Sequence, residues 1–172
     1  MRALIGWTLK WWLWLAPASS AAMLAIAHGF QTFGHLAPCE LCLKQRTVYW
    51  VALAVAAVAI ALRSRPPTRR TLAPMAGLIL AVTFAVGCGI AVYQAGAEWQ
   101  WWPGPESCSG AALSAGAIDL KKFLSGAVVH VVRCDQASWR FLGLSMAGWN
   151  ALISLKLAGW SLAWASWSRR HD

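Results

Sequence analysis

Long uncharged, apolar stretches alternate with short charged segments along this chain, and the lengths of the apolar stretches match a bilayer. Bracketing the charges leaves four such stretches, around residues 11–33, 47–62, 71–97 and 141–164. A spanning helix requires roughly 20 consecutive apolar residues. The pattern predicts helices over about 12–33, 43–62, 72–95 and 141–164. The second apolar run is the short one. Thr47 to Leu62 spans only about 24 Å at 1.5 Å per residue, against a hydrocarbon core of about 30 Å. That helix must therefore begin about four residues earlier, near Cys42, with Arg46 one turn inside it at the membrane edge. Cys42 and Arg46 then stand at i and i+4 and share a face.

The stretch between the third and fourth helices, about 96–140, is the one long polar segment. It opens on Trp99-Gln100-Trp101-Trp102-Pro103-Gly104-Pro105, aromatic and rich in turn formers. Leu120, Phe123, Leu124, Ala127, Val128 and Val131 follow at helical spacing, with Lys121, Lys122 and Ser125 opposite. That pattern suits a short amphipathic helix lying on the bilayer. The expected fold is an all-α membrane protein, a four-transmembrane-helix bundle with a long outer loop that carries this helix. A single integral membrane domain covers residues 1–172.

Composition supports this class. The chain is 59% hydrophobic and 12% charged, where soluble domains carry about 25% charged residues. Its 13 Trp suit a protein with two lipid–water interfaces. The net charge of +9 raises nucleic acid as a partner, but the distribution of charge argues against it. Arg63, Arg65, Arg69 and Arg70 share one short loop, and the positive-inside rule makes that loop cytoplasmic. The same side receives Arg2, Lys10, Lys156, Arg169 and Arg170, so nine bases face one acid, Asp172. The outer side holds Lys44, Arg46, Lys121, Lys122, Arg133 and Arg140 against Glu40, Glu98, Glu106, Asp119 and Asp135. Basicity is thus a topology signal with both termini cytoplasmic, not a groove-facing surface. Lys156 is expected to snorkel to that side, with Trp160, Trp164 and Trp167 as an interfacial girdle. The first apolar stretch runs to Phe33, beyond a cleavable signal's h-region of about 7–15 residues. It reads as an uncleaved helix, Pro17 included.

The chemistry lies in the cysteines. Pro38-Cys39-Glu40-Leu41-Cys42-Leu43-Lys44-Gln45-Arg46 places a Cys-x-x-Cys pair at the mouth of the second helix. Such a pair closes into a disulfide, exchanges with another thiol, or ligates a metal. Its two-residue loop constrains little chain entropy, so it makes a poor structural staple. Cys108 and Cys134 lie on the same outer side, and stapling the loop is a plain alternative for them. A metal site would need further ligands. His35 and His130 are available, but no second close pair completes a tetrahedral set. Cys88, in the third helix, reads as a small hydrophobe. Asn150 reads as an interhelical hydrogen bond. Gln94 either lines a polar pocket or is a plain interfacial residue, and Arg46 has the alternative role of interfacial anchor. Cys42 has two features that favour the thiolate, a helix N-terminus and Arg46 one turn away.

At these residues the chain resembles the DsbB family, the inner-membrane quinone reductases that reoxidise the periplasmic oxidase DsbA. Three blocks carry the likeness: Pro38 to Arg46; Trp101-Trp102-Pro103-Gly104-Pro105-Glu106-Ser107-Cys108; and Arg133-Cys134-Asp135 with Trp139-Arg140-Phe141-Leu142-Gly143-Leu144-Ser145-Met146-Ala147-Gly148-Trp149-Asn150. The resemblance implies a bacterial inner-membrane protein with periplasmic redox loops. It implies that Cys39 and Cys42 form the quinone-coupled pair, with Cys42 beside the quinone. Cys108 would form the mixed disulfide with the soluble partner, and Cys134 would be its loop mate. Arg46 would assist quinone binding, and Met146 would line the quinone pocket. The implied cofactor is a membrane quinone, ubiquinone in preference to menaquinone. The implied partner is a DsbA-like thioredoxin-fold oxidase. Many relatives carry a His near the outer end of the third helix in a Tyr-His context, where this chain has Tyr93-Gln94.

Energetics agree with that implication. DsbA is a strong oxidant near about −120 mV, and ordinary structural disulfides lie below about −300 mV. A pair at the latter potential would oppose transfer by roughly 8 kcal/mol. An external acceptor must therefore drive the step. Two rivals remain at this stage. One is a thiol reductase of the vitamin K epoxide reductase-like type, which a redox titration of both pairs with and without quinone would separate. The other is a disulfide-stapled four-helix protein without activity, whose cysteines would stay oxidised in cells when respiration is blocked.

Overall fold

The computed structural model describes residues 2–62, 66–105, 134, 137 and 139–171. Among them are four helices: α1 (Arg2–Thr32), α2 (Glu40–Leu62), α3 (Pro66–Glu98) and α4 (Met146–His171). A two-stranded antiparallel ribbon, β1 (Arg140–Phe141) and β2 (Leu144–Ser145), immediately precedes α4. The amphipathic helix expected over Leu120 to Val131 lies outside the described residues.

Three of these helices are long and apolar enough to cross a membrane, over Ala3–Thr32, Glu40–Leu62 and Thr71–Glu98. Trp7, Trp14, Val58, Val82 and Val86 stand exposed on them, a surface suited to acyl chains. At 26 residues α4 has the length but not the apolarity. Asn150 and Lys156 lower it most, and three serines add to them. Ser154, Ser161 and Ser168 recur once per heptad, and all are buried. Ala147, Ala151, Ala158 and Ala165 are buried beside them. Small side chains of this kind allow helices to approach closely where lipid supplies no hydrophobic drive. α4 packs most extensively on α3, α3 on α2, and α2 on α1, while α1 also touches α4, which closes the bundle.

Phe84 and Leu80 of α3 are fully buried at the centre, in one cluster with Trp12, Tyr49, Leu157 and Trp164. The expected girdle of Trp160, Trp164 and Trp167 turns inward instead. Trp164 is buried, and Trp160 and Trp167 pack against the same cluster. Trp160 stacks on Trp12 with centroids 6.0 Å apart, and the Trp12 indole donates to Ser161 Oγ at 3.2 Å.

The fourth helix starts later than its apolar run. Leu142 (φ 51°) and Gly143 (φ 81°) both adopt the left-handed region, as a two-residue type I′ hairpin turn demands. Arg140 then pairs with Ser145, and Phe141 with Leu144. The hairpin is pinned to its surroundings by aromatic rings. Trp139 stacks on Phe141 and meets Phe30 of α1 at 5.2 Å, while the Trp149 indole donates to the Phe141 carbonyl at 3.0 Å. At the end of α3, Gln100 (φ 61°) takes the left-handed cap position. Gln100 N–H donates to Ala97 O at 3.0 Å and Trp101 N–H to Gly96 O at 2.9 Å, the paired bonds of a Schellman motif. Trp102 folds back over this turn, donating to Tyr93 O at 2.9 Å.

Candidate functional site

Cys39 is the N-cap of α2. Its carbonyl accepts the Leu43 N–H at 3.1 Å, and its sulfur accepts the Cys42 N–H at 3.3 Å. These bonds satisfy backbone donors that a helix start otherwise leaves open. Glu40 follows in the first turn, favourably placed against the helix dipole. It pairs with Lys44 at 2.7 Å, but both side chains are about half exposed, so the pair contributes below about 1 kcal/mol.

The cap brings the two sulfurs to 2.8 Å from each other. Both are free thiols, close enough for a disulfide to form with little backbone movement. Cys39 is buried and Cys42 half-buried. The Cys39 thiol is pushed far above the ordinary thiol range, first by its hydrogen bond with Cys42 and next by burial. It is therefore held as a neutral thiol.

Cys42 faces a buried polar chain that links three helices. Gln94 on α3 lies beside its sulfur, with Nε2 at 3.6 Å and Oε1 at 3.9 Å. Gln45 Nε2 donates to Gln94 Oε1 at 2.8 Å, and Asn150 Nδ2 on α4 donates to Gln45 Oε1. The Tyr49 hydroxyl donates to Asn150 Oδ1 and lies 3.1 Å from Ser154 Oγ. At the other end Gln94 Nε2 donates to Glu98 Oε1 at 3.1 Å. Glu98 is only 7% exposed. Ser145 and Arg140 of the hairpin act on its carboxyl group, yet Oε2 has no hydrogen-bond partner among the described residues.

The residues expected from sequence are only partly brought together. Cys39, Cys42 and Gln94 come together, so Gln94 belongs to the polar cluster and is not a plain interfacial residue. Cys134 joins them. It is disulfide-bonded, 1% exposed, and packed with Cys39 and Leu41, against which Cys42 and Ile90 also rest. Arg46 behaves differently from the expectation of a cation facing Cys42. Its guanidinium turns to the end of α1, donating to Gln31 Oε1 at 2.6 Å and Ala27 O at 2.9 Å. The hydrogen-bond partners of the Cys42 sulfur are Cys39 and Gln94. Met146 opens α4, half-buried, one residue after Ser145. Cys108 lies outside the described residues. Asn150 is the interhelical hydrogen bond expected of it, and Cys88 is a half-buried free thiol. No cluster of His, Cys, Asp and Glu suited to a metal occurs among the described residues.

Gln45, Glu98, Tyr49 and Ser145 were not singled out by the sequence pattern. A signal was present for two of them. Gln45 stands three residues after Cys42, and Glu98 four after Gln94, and both spacings put polar groups on one helical face.

Comparison with known proteins agrees with this arrangement. The family model DsbB, disulfide bond formation protein DsbB, matches residues 9–164. A disulfide bond formation protein B of Methylococcus capsulatus is 32% identical over 145 residues, covering 83% of this chain and 85% of the relative. Disulfide bond formation protein B 2 of Pseudomonas entomophila is 31% identical over 151 residues, covering 86% and 84%. The corresponding protein of a Polaromonas species is 30% identical over 147 residues, covering 84% and 83%. No solved structure matches the chain. With its apolar helices, its Cys-x-x-Cys pair at a helix mouth and a family match over nearly its whole length, the chain belongs to the DsbB family of membrane disulfide bond formation proteins.

Proposed function

We propose that the protein is a thiol:quinone oxidoreductase of the bacterial inner membrane. It reoxidises a periplasmic DsbA-like dithiol oxidase and passes the electrons to a membrane quinone. The observation that carries this reading is the packing of disulfide-bonded Cys134 against the free Cys39/Cys42 pair. Thiol–disulfide exchange requires a thiolate to reach a disulfide sulfur, and the packing of disulfide-bonded Cys134 with the two free thiols supports such an exchange. Electrons then run from the partner to Cys108/Cys134, on to Cys39/Cys42, and to the quinone. Cys108 takes the partner's mixed disulfide and Cys134 resolves it. In this reading the spans form one integral membrane domain with both termini cytoplasmic and the redox loops periplasmic.

The residues around Cys42 fit a quinone. The Cys42 sulfur is partly exposed while Cys39 is buried, so one sulfur of the pair meets an incoming acceptor. Gln94 directs one amide N–H at that sulfur. Arg46 on the same helix uses two guanidinium nitrogens toward α1 and has five N–H donors in all. Such donors suit the carbonyl oxygens of a quinone, and the family resemblance assigns Met146 to the wall of the quinone pocket. Bound there, the quinone supplies a two-electron sink. The chain's residues hold Cys39 as a thiol, orient Cys42 and exclude water from the polar cluster.

The experiment is quinone reduction by the purified protein supplied with a reduced thioredoxin-fold partner. Turnover of ubiquinone that ceases in Cys42→Ser supports the reading. Absence of turnover with ubiquinone and menaquinone analogues refutes it, and reduction of the partner by a hydroquinone would favour the vitamin K epoxide reductase-like direction.

A further inference from the structure

Glu98 presents a buried carboxyl group one side chain away from a reacting sulfur. The hydrogen bonds leading to it run in one direction. Tyr49 donates to Asn150, Asn150 to Gln45, Gln45 to Gln94, and Gln94 to Glu98 Oε1. Each amide uses its oxygen toward Tyr49 and its nitrogen toward Glu98, so the acceptor at the end of the chain is Oε1. Oε2 is left buried with no partner among the described residues. An ionised carboxylate there keeps the hydrogen bonds of Gln94 and Ser145 and the attraction of Arg140, but its second oxygen is buried without a partner of its own among the described residues, which makes the charge costly beside a second negative group. Glu98 also acts electrostatically on Cys42, and two negative charges this close do not coexist readily in a low-dielectric site. The charged and titratable groups that face Glu98 are Cys42 from α2 and Arg140 from the hairpin, with neutral Gln94 and Ser145 beside them. Glu40 is the other described carboxyl side chain, and it is exposed and paired with Lys44.

We propose that Glu98 and Cys42 share one proton: Glu98 holds it at Oε2 while Cys42 is a thiolate, and releases it when the Cys39–Cys42 disulfide forms. The reduced site then contains the Cys39 thiol, the Cys42 thiolate and the Glu98 acid. This is the same number of protons as two thiols and a carboxylate. On oxidation the Cys39–Cys42 bond forms and two electrons leave to the acceptor. One proton leaves Cys39 and one leaves Glu98. With a quinone as acceptor, both protons end on its oxygens, and a dithiol plus a quinone become a disulfide plus a hydroquinone. The unusually firm hold of Cys39 on its own proton fits this division, because it leaves Cys42 as the thiol that gives its proton up.

The delivery of protons to a quinone rests on the proposed function; the sharing of the proton does not. The test is redox-triggered infrared difference spectroscopy of the whole chain in lipid nanodiscs. Diamide oxidises the pair in one arm, and a ubiquinone analogue does so in the other. The expected result is a protonated-carboxyl C=O band, sensitive to D2O, that is present in the dithiol state and lost on oxidation in both arms. It should be missing in Glu98→Gln and in Cys42→Ser. Glu98→Gln should still form the disulfide with diamide but reduce the quinone about 100-fold more slowly in a single turnover, within the usual range for general acid–base catalysis. A wild-type spectrum without a carboxyl change, or a change that survives Glu98→Gln, overturns the proposal. Should Glu98→Gln fail to fold, the wild-type and Cys42→Ser spectra decide the matter. If diamide gives the band but the quinone never oxidises the pair, the quinone reading falls and the shared proton stands.

Discussion

Replacing Asn150 by Leu should break the buried chain at its midpoint. Asn150 is 7% exposed and bridges α4 to two residues of α2, accepting from Tyr49 and donating to Gln45. Interhelical side-chain bonds in membrane proteins average about 0.6 kcal/mol, so two contribute about 1.2 kcal/mol. The larger effect falls on what remains. Tyr49 keeps Ser154 at 3.1 Å, but Gln45 Oε1 loses its donor while buried, which costs about 1–3 kcal/mol. The expected loss is therefore about 2–4 kcal/mol. It can be read by equilibrium unfolding in mixed micelles, followed by circular dichroism. A cycle with Tyr49→Phe isolates the direct pair, with an expected coupling of about 0.6–1.7 kcal/mol. The reasoning fails if Asn150→Leu is within about 0.5 kcal/mol of wild type, or if the two substitutions add within about 0.3 kcal/mol.

Other expectations are as specific. Arg46→Ala should raise the Michaelis constant for quinone, and Arg46→Lys should recover only part because an ammonium lacks the planar fork; a wild-type quinone dependence in Arg46→Ala would leave Arg46 as a clamp on α1 alone. In the fully reduced protein, Cys39 should resist alkylation across about pH 6–9, since a raised folded-state value keeps the thiolate form scarce until strongly alkaline pH; mass spectrometry showing equal labelling of Cys39 and Cys42 would contradict this. Cys134→Ala should accumulate a mixed disulfide between Cys108 and the partner, visible on non-reducing gels. A Cβ on Gly96 would lie 2.0 Å from the Trp102 ring, so Gly96→Ala should cost about 1–3 kcal/mol by overpacking, measured as a lower thermal midpoint in detergent.

Much of this was legible in the sequence because membranes impose simple rules. Uncharged runs of the right length marked the helices. The shortness of one run correctly required α2 to begin before Thr47. Cys-x-x-Cys spacing located two close sulfurs at the mouth of α2, and what it did not reveal is that Cys39 caps the helix. The start of α4 was not legible. Phe141-Leu142-Gly143-Leu144 continues the apolar run, and a single Gly is too weak a signal to end a helix by itself; the turn shows only in the positive φ of Leu142 and Gly143. The direction of Arg46 was hidden for another reason. Helical periodicity places it on the face of Cys42, but a long side chain chooses its acceptors in three dimensions, and the end of α1 offers two. Gln45 and Glu98 were passed over because polar residues at the ends of apolar runs ordinarily meet headgroups. Their partnership arises only when α2 and α3 are laid side by side.

The inward serines of α4 bear on how the protein is made. Ser154, Ser161 and Ser168 add to Asn150 and Lys156 in lowering the apolarity of α4, yet in the assembled bundle the three serines are buried. An emerging α4 therefore gains less from partitioning into the bilayer by itself than α1, α2 or α3 does. Its favourable environment exists only once α3, its main packing partner, is already there to receive it. Synthesis order supplies this, because α3 leaves the ribosome first. Insertion of the last helix and its docking are then one event, and a lesion on the α3 face would surface as a topology defect during biogenesis before it surfaced as lost activity.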